Sequence, residues 1–502
     1  MHSQPGYDFL LSKACGGGET CSNGACKSPP KACTPGVTTS CSCPGVAAGT
    51  KTCDGAGSGY GACACAWKTN IEHVVLIVQE NHTFDSYFGA YCTGTSGPLG
   101  APPACTTGPA CCEAAPSTVG GLGRYALTDA ENYSRDHDHS HSCEVCQING
   151  GAMDHFLDRA CPGSSDGTFT YGCSSPNNFE LAVDSGQMAT YWSAAKSYAL
   201  ADRYFQPMAG STSGNDMYFA VAHYEFADNS LAPQAIGLTN FAGTRCVNPT
   251  DTPVVTTLPG RTTIADVLMS HGFTFKTYAD GYADAVLAAP SCPPAGGTHC
   301  HENFVTNDAC KYDPSDIPFN YYPQLADKHI VDVSALAENL ASGTLPNVSF
   351  VKFRTSENEH PGWSWVSDGE NNVAGIVNNI YATPAYAQNT LVLLTWDEGG
   401  GFYDHVPPPA SVETAPTSPT PFVVPYGTRV PLLAIGPFAK TNHISHRQME
   451  HSSIVKFLEW NFVGPAGVGA IAATYPSARD GSPMVNGIGD MLNAAAVGVA
   501  PP

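Results

Sequence analysis

Two apolar runs in this chain end on acids and amides. IEHVVLIVQE (71–80) leads into Gln79-Glu80-Asn81, and LVLLTWDE (391–398) closes on Asp397-Glu398. Three carboxylates and an amide oxygen brought from distant segments would make a cage for a hard divalent cation. Taken singly, DEGGG is an ordinary turn and Glu80-Asn81 an ordinary helix cap; both falling at the ends of strand-like runs favours a site. A third stretch, Gly210-Ser211-Thr212-Ser213-Gly214-Asn215, opens the helix-like DMYFAVAHYEF. Such a loop offers backbone N–H groups and a positive dipole end to a phosphate, with three hydroxyls as candidate nucleophiles. Histidine supplies the fourth feature: RDHDHSHS (135–142) carries three, and SENEHPGW (356–363) carries His360. Near a phosphate, an imidazole can hydrogen-bond a non-bridging oxygen or protonate the leaving group. For any single member of the clustered three, a solvated polar loop is the plainer reading.

The elements that must position these residues are strands and helices in alternation. Beside the two acid-tipped runs, FTFKTYAD (273–280), NVSFVKF (347–353) and PLLAIGPF (431–438) read as strands covered on both faces. TTIADVLMSHG (262–272), VSALAENLASG (333–343) and HSSIVKFLEWNF (451–462) carry helical periodicity. The pattern predicts an α/β domain with a mostly parallel central sheet flanked by helices. In such sheets ligands bind beyond the carboxyl ends of the strands, where the acids fall. The connections at 92–180 and 281–325 are long and Cys-bearing, as site-building insertions are.

Composition narrows the class. The 502 residues carry 22 Lys+Arg against 44 Asp+Glu, a net charge of −22, which repels nucleic acid and leaves room only for a local basic pocket. Hydrophobic residues make up 42%, enough for a real core, and no apolar run is long enough to span a bilayer. Of 21 cysteines, nine lie in the first 65 residues: Cys15, Cys21, Cys26, Cys33, Cys41, Cys43, Cys53, Cys63 and Cys65. A polar Gly/Ser/Thr/Pro-rich stretch of that kind predicts a disulfide-stapled module over 1–66, ahead of a catalytic domain over 67–502. Zinc is disfavoured, because His2 is the segment's one histidine and paired Cys-x2-Cys spacing is missing. The odd cysteine total predicts a thiol that is free or bonded to another chain. MHSQPGYDFLLSKAC lacks the charged start and apolar stretch of a signal peptide, so a secreted, periplasmic or cell-surface location is expected from the cysteines alone. The N-terminal module resembles small Cys-rich modules ahead of enzymes in some secreted bacterial proteins, where it would act as a spacer or wall attachment. No internal repeat is found, and the sequence does not specify an oligomeric state.

IEHVVLIVQENHTFDSYFG, HSHSCEVCQINGGAMDHF and TWDEGGGFYDHVPPP, with the spacing between them, resemble the bacterial acid phosphatase/phospholipase C superfamily over residues 70–465. The resemblance implies an alkaline-phosphatase-like fold and hydrolysis of phosphate esters at one divalent metal ion. It implies a Ser or Thr nucleophile that also binds the metal. By position, Glu80, Asn81, Asp397 and Glu398 become metal ligands, Thr212 the nucleophile and fifth ligand, Asn215 the retained loop Asn, and His139 and His360 the phosphate-side histidines. Oxygen ligands favour Mg, Ca or Mn over thiolate-seeking ions. The family loop reads Gly-Pro-Thr/Ser-x-Pro-Asn-Arg; here both prolines are lost, to Ser211 and Gly214, and the Arg is Asp216. Ser211 and Ser213 are therefore minor rivals to Thr212. Some relatives carry a further His shortly before Pro-Phe; this chain has Ser315 and Asp316 there, with His299 or His301 as possible substitutes.

The mechanism implied is in-line attack by Thr212, a phosphothreonine intermediate and its hydrolysis. A small-molecule phosphate ester or a phospholipid head group would be the substrate. The tail after residue 465 shows no obvious second domain, which tilts the expectation toward a small soluble ester. A sulfatase on the same fold is the first alternative, but its Cys/Ser-x-Pro-x-Arg signature is absent around 210–216. A non-catalytic surface or binding protein is the second, and it would need an incomplete ligand set.

Overall fold

The computed structural model describes residues 32–43, 46–61, 68–94, 104–163, 172–182, 188–233, 260–288, 312–325, 328–415 and 421–502, with short strand pieces at 20–22, 25–27, 64–65, 241–242, 245–246 and 254–255 and the single positions 186 and 258. His299 and His301 lie outside these residues. The chain divides into two compact units, Met1–Lys68 and Thr69–Pro502. In the first, Thr38–Cys43 pairs antiparallel with Val46–Thr52, which also pairs with Ala64–Cys65. A Cys33–Cys53 disulfide closes this meander, supplying the constraint that its polar sequence cannot supply by burial.

The second unit is built on an eight-stranded sheet. In chain order its strands are β1 (His73–Gln79), β2 (Ala199–Ala201), β3 (Phe275–Ala279), β4 (Ile330–Asp332), β5 (Val348–Lys352), β6 (Thr390–Trp396), β7 (Leu432–Ile435) and β8 (His443–Ser445). Across the sheet they run β4-β3-β5-β1-β6-β7-β2-β8. Every residue of β5 and β6, and all of β1 except His73, is buried, as the unbroken Val/Ile/Leu runs require of strands covered on both faces. The predicted α/β class with a mostly parallel sheet is the observed one. β7, from PLLAIGPF, is the departure: it pairs antiparallel with both β6 and β2. Among the described residues no helix lies between β6 and β7, which fits a return without the crossover that a parallel neighbour needs.

Five helices matter for the site: α1 (Phe84–Phe88), α2 (His141–Ile148), α3 (Thr212–Val221), α4 (Val366–Ala382) and α5 (His451–Leu458). Every residue of α3 is buried, which its sequence TSGNDMYFAV permits because small and apolar side chains run all round it. α4 follows the His360 segment and has no counterpart in the sequence reading. Its apolar contacts (Val366, Val373, Ile376, Ile380) are diluted by Asn, Gly and Asp, so the helical stripe is thin. The 451–462 run leaves the α conformation at Leu458 and continues as a π turn over Glu459–Val463. Among the described residues no helix is long and apolar enough to cross a membrane.

The long Cys-bearing connection after α1 is cross-linked by Cys92–Cys112, Cys105–Cys111, Cys143–Cys173 and Cys146–Cys161. Two of these bonds hold α2, the helix that follows His139, to the loop behind it.

Candidate active site

β1 and β6 are adjacent and parallel, with Gln79 opposite Trp396. Glu80 and Asp397 therefore leave neighbouring strands at the same level, beyond their carboxyl ends. Asn81 has a left-handed backbone (φ 61°), an uncommon conformation outside glycine. The kink ends the strand and turns the Asn81 amide inward. The cap of α1 is Thr83, whose hydroxyl accepts from the Ser86 N–H, so Glu80 and Asn81 are not consumed by capping. The glycines of DEGGG have a steric role: a Cβ on Gly400 would lie 2.3 Å from the Asn81 carbonyl oxygen. Only glycine lets the two turns close on each other. The Asn81 N–H donates to Asp397 Oδ1 at 3.4 Å.

Thr212 is the first residue of α3, and Ser211 is its N-cap. The Thr212 hydroxyl donates to Asn81 Oδ1 at 3.4 Å. Ser211 instead donates its hydroxyl to the His139 carbonyl at 3.2 Å, so of the two it is Thr212 that faces the acids. Asn215 is internal to the loop: its Oδ1 accepts from Met208 N–H and its Nδ2 donates to the Gly210 carbonyl. The expectation of backbone donors aimed at phosphate needs correction at three of the loop's residues. The N–H groups of Gly210, Ser211 and Ser213 donate to Glu144, Asp228 and Asn229 respectively. These side chains hold the loop's shape. The loss of the family's second proline has a packing counterpart at Gly214, where a Cβ would meet Met208 Cε at 2.4 Å and the Phe226 carbonyl oxygen at 2.9 Å.

Of the clustered histidines, only His139 reaches the site. His141 Nδ1 lies 2.6 Å from the Ala209 carbonyl, and His137 is fully buried edge-on to Phe402. His139 Nδ1 donates to the His137 carbonyl at 2.7 Å, and His360 Nδ1 donates to the Pro361 carbonyl at 2.7 Å. Both Nε2 atoms are thereby lone-pair acceptors facing the centre. His360 Nε2 is 3.0 Å and His139 Nε2 3.5 Å from Asn81 Nδ2. Glu398 Oε1 is 3.6 Å from His139 Nε2, and Glu80 Oε2 is 3.9 Å from His360 Nε2. Burial pushes both imidazoles down to about 4, so they are neutral at neutral pH. His360 sits on a side chain 13% exposed, the most open of these groups.

All seven site residues expected from the resemblance, Glu80, Asn81, His139, Thr212, His360, Asp397 and Glu398, thus converge on one buried locus. Their charge is unbalanced. Burial raises Asp397 to about 6, with Lys352 pulling down and Glu80 pushing up. Burial and the neighbouring Asp397 drive Glu398 well above the ordinary carboxylate range. Glu398 Oε1 is buried with no hydrogen-bond donor. Oxygen donors with an orphaned buried carboxylate oxygen are what a hard divalent cation would satisfy, so the residues fit that group. Asp136, His139 and His360 also present ligand atoms within 4.8 Å of one another at the rim. A third grouping, Asp85, Asp404 and His405, is already supplied with a cation: Arg429 donates to Asp404 Oδ1 at 2.8 Å and to Asp85 Oδ1 at 2.9 Å.

Lys352 escaped the sequence reading. It ends β5, buried, with Nζ 2.9 Å from Glu80 Oε1 and 3.2 Å from Asp216 Oδ2. The signal was present: a charge closing the apolar run NVSFVKF, as Glu80 and Asp397 close theirs. Asp216, in place of the family Arg, is Lys352's partner. Asp316, at the position where some relatives carry His, is buried beside the same cluster, and burial followed by Asp313 lifts its carboxyl well above the ordinary range.

Residues 71–463 match the Phosphoesterase family along most of the chain. The chain belongs to that family. Among curated relatives of this phosphoesterase, phospholipase C B of Mycobacterium tuberculosis is 25% identical over 435 residues, covering 81% of this chain and 76% of the relative. Hemolytic phospholipase C of Pseudomonas aeruginosa is 27% identical over 297 residues, covering 55% of this chain and only 39% of the relative. Among solved structures, a protein of the alkaline phosphatase superfamily from Vibrio parahaemolyticus aligns at a TM-score of 0.30 and 11% identity, over 75% of this chain and 72% of that one.

Proposed function

We propose that this phosphoesterase hydrolyses phosphate esters by nucleophilic attack of Thr212, through a phosphothreonine intermediate, in a cradle formed by Glu80, Asn81, Asp397 and Glu398. The observation that carries the reading is the Thr212 hydroxyl aimed at Asn81 from the start of a buried helix. Family membership and the phospholipase C relatives support phosphoric ester hydrolysis. The same relatives favour a phosphodiester with a lipid leaving group over the small soluble ester that the chain's tail suggested. The disulfides support an oxidising compartment, extracellular or periplasmic.

Glu80, Asn81, Asp397 and Glu398 would hold a divalent cation, which supplies Lewis acidity for the developing phosphoryl charge. Thr212 is oriented by its hydrogen bond to Asn81 Oδ1, which fixes the direction of the attacking lone pair. Its proton passes to Asp397, which the hydroxyl also hydrogen-bonds, as its oxygen displaces the alcohol at phosphorus in line; the P–O bond to Thr212 forms as the P–O bond to the leaving group breaks, and the proton returns to Thr212 when water releases the phosphoryl group. His139 and His360 are neutral before substrate arrives. An incoming phosphate anion favours protonation at Nε2, the face left open by the Nδ1 bonds to carbonyls. His139, the more deeply buried, would donate to a non-bridging oxygen, and the more open His360 would protonate the leaving alcohol. Water then cleaves the phosphothreonine bond.

The test is a parallel assay of a chromogenic phosphomonoester, a phosphodiester, phosphatidylcholine and a sulfate ester, each with and without chelator, for the wild type and Thr212→Ala. Phosphate-ester turnover that chelation abolishes and that Thr212→Ala lowers by at least about 10³-fold is expected. Near-normal turnover in Thr212→Ala moves the nucleophile elsewhere, and preference for the sulfate ester would replace the reading with the sulfatase alternative.

A further inference from the structure

One buried carboxylate outside the candidate cation site receives four donors. Glu359, fully buried, accepts at Oε1 from Gln79 Nε2 (2.9 Å) and from the Tyr191 hydroxyl. At Oε2 it accepts from the Tyr87 hydroxyl (2.6 Å) and from Trp396 Nε1 (3.0 Å). Gln79 and Trp396 are the last residues of β1 and β6, and each directly precedes a candidate ligand, Glu80 and Asp397. An amide NH2 and an indole N–H can only donate, so each carboxylate oxygen faces one group that nothing but an acceptor satisfies. Space is reserved for this arrangement: a Cβ on Gly369 of α4 would lie 2.3 Å from Glu359 Cγ and 2.6 Å from Gln79 Nε2.

The Glu359 backbone is left-handed (φ 76°), a conformation that a residue with a Cβ keeps only where its surroundings over-determine it. Here they do. The Glu359 carbonyl accepts from Asn132 Nδ2 at 2.9 Å, and its N–H donates to Ser364 Oγ at 3.1 Å. His360 is the next residue, so this turn sets the direction in which it leaves the chain. The segment between β5 and α4 has no strand or helix of its own, whereas β1 and β6 are fixed by their ladder. We propose that Glu359 is a positioning residue, which locks the turn carrying His360 to the strand tips carrying Glu80 and Asp397 and so sets where His360 Nε2 meets the leaving alcohol. The inference rests on the reading of His360 as the acid that protonates that alcohol.

The test uses two phosphate esters that differ only in the leaving group, an alkyl alcohol against p-nitrophenol, and reads the ratio of their kcat/KM values on the full chain. Nitrophenolate departs without a proton and an alkoxide does not, so a displaced acid slows the alkyl ester selectively, whereas a general loss of structure slows both alike. His360→Ala should lower the alkyl-to-aryl ratio by about 10²-fold or more. Glu359→Gln keeps the size but sets an NH2 against Gln79 or Trp396, and it should lower the ratio by about 10- to 100-fold. Tyr191→Phe removes one donor of the four and should lower it by less. Circular dichroism checks that each variant is folded. A folded Glu359→Gln with the wild-type ratio, beside a lowered ratio in His360→Ala, overturns this proposal and leaves the reading of His360 standing. Where Glu359→Gln does not fold, the ratio in Tyr191→Phe decides in its place. A wild-type ratio in His360→Ala overturns both.

Discussion

The two sides of the candidate site are held in place by different physics. On the carboxylate side, Glu80 and Asp397 follow directly on paired central strands, and the β1–β6 ladder sets their separation. On the histidine side, His139 immediately precedes α2, which the Cys143–Cys173 and Cys146–Cys161 bonds tie to the chain that follows, while His360 lies in the cysteine-free segment between β5 and α4. One side is placed by burial and backbone hydrogen bonds, and on the other His139, unlike His360, has covalent staples close behind it. The lesson is that the charge-bearing wall, where errors of position are most costly, is built into the sheet. The wall to which we assign protonation and phosphate binding is carried on connections outside the sheet.

The comparison can be broken first on the carboxylate side. Asp397→Asn should lower turnover by about 10³-fold or more and release bound metal on dialysis, since it would remove charge from the buried site to which we assign the cation. Retained metal and activity would show that the strand-borne acids are structural only. On the histidine side, His139→Ala should cost about 10²–10⁴-fold in kcat, within the range of general acid–base groups, with metal content unchanged. If His139→Ala also empties the metal site, the two walls are not separable, and the rim grouping of Asp136, His139 and His360 becomes the better cation site.

A smaller effect should follow from cutting a staple. Cys143→Ser/Cys173→Ser should destabilise the fold by about 2–4 kcal/mol. It should slow turnover by about tenfold through loss of His139 placement, with metal stoichiometry intact. Thermal melts, kinetics and metal analysis of one preparation distinguish these outcomes. The smallest predicted effect concerns pH. Burial pushes the His405 imidazole down, but Asp85 and Glu113 outweigh it and lift it to about 9. Its folded value thus lies above the unfolded value of about 6.5, so its contribution to stability is full below that pH and is lost as pH rises through 9. Tm should fall between pH 7 and 10, and His405→Asn should flatten that fall.

The sheet and the carboxylate wall were legible in the sequence because both are local. An apolar run ending in acids reports at once a buried strand and the residues at its tip. The antiparallel turn of β7 was not legible, because its direction depends on what lies between it and β6 and not on its own residues. α4 was missed because its apolar stripe is interrupted by polar residues that solvate the other face. Among the histidines, composition alone could not separate His139 from His137 and His141. Their fates are decided by the carbonyls they meet, which come from the fold. The same holds for the N–H groups of Gly210, Ser211 and Ser213, whose acceptors Glu144, Asp228 and Asn229 lie outside the motif and reach it only through the fold.

The central claim is that the Thr212 oxygen attacks phosphorus, and trapping the intermediate tests it most directly. Acid-quenching the enzyme during turnover of a phosphodiester, followed by peptide mass spectrometry, should find one phosphoryl group on Thr212 and none on the Thr212→Ala chain. Phosphate on Ser211 or Ser213, or an unmodified enzyme under conditions where turnover is observed, would contradict it.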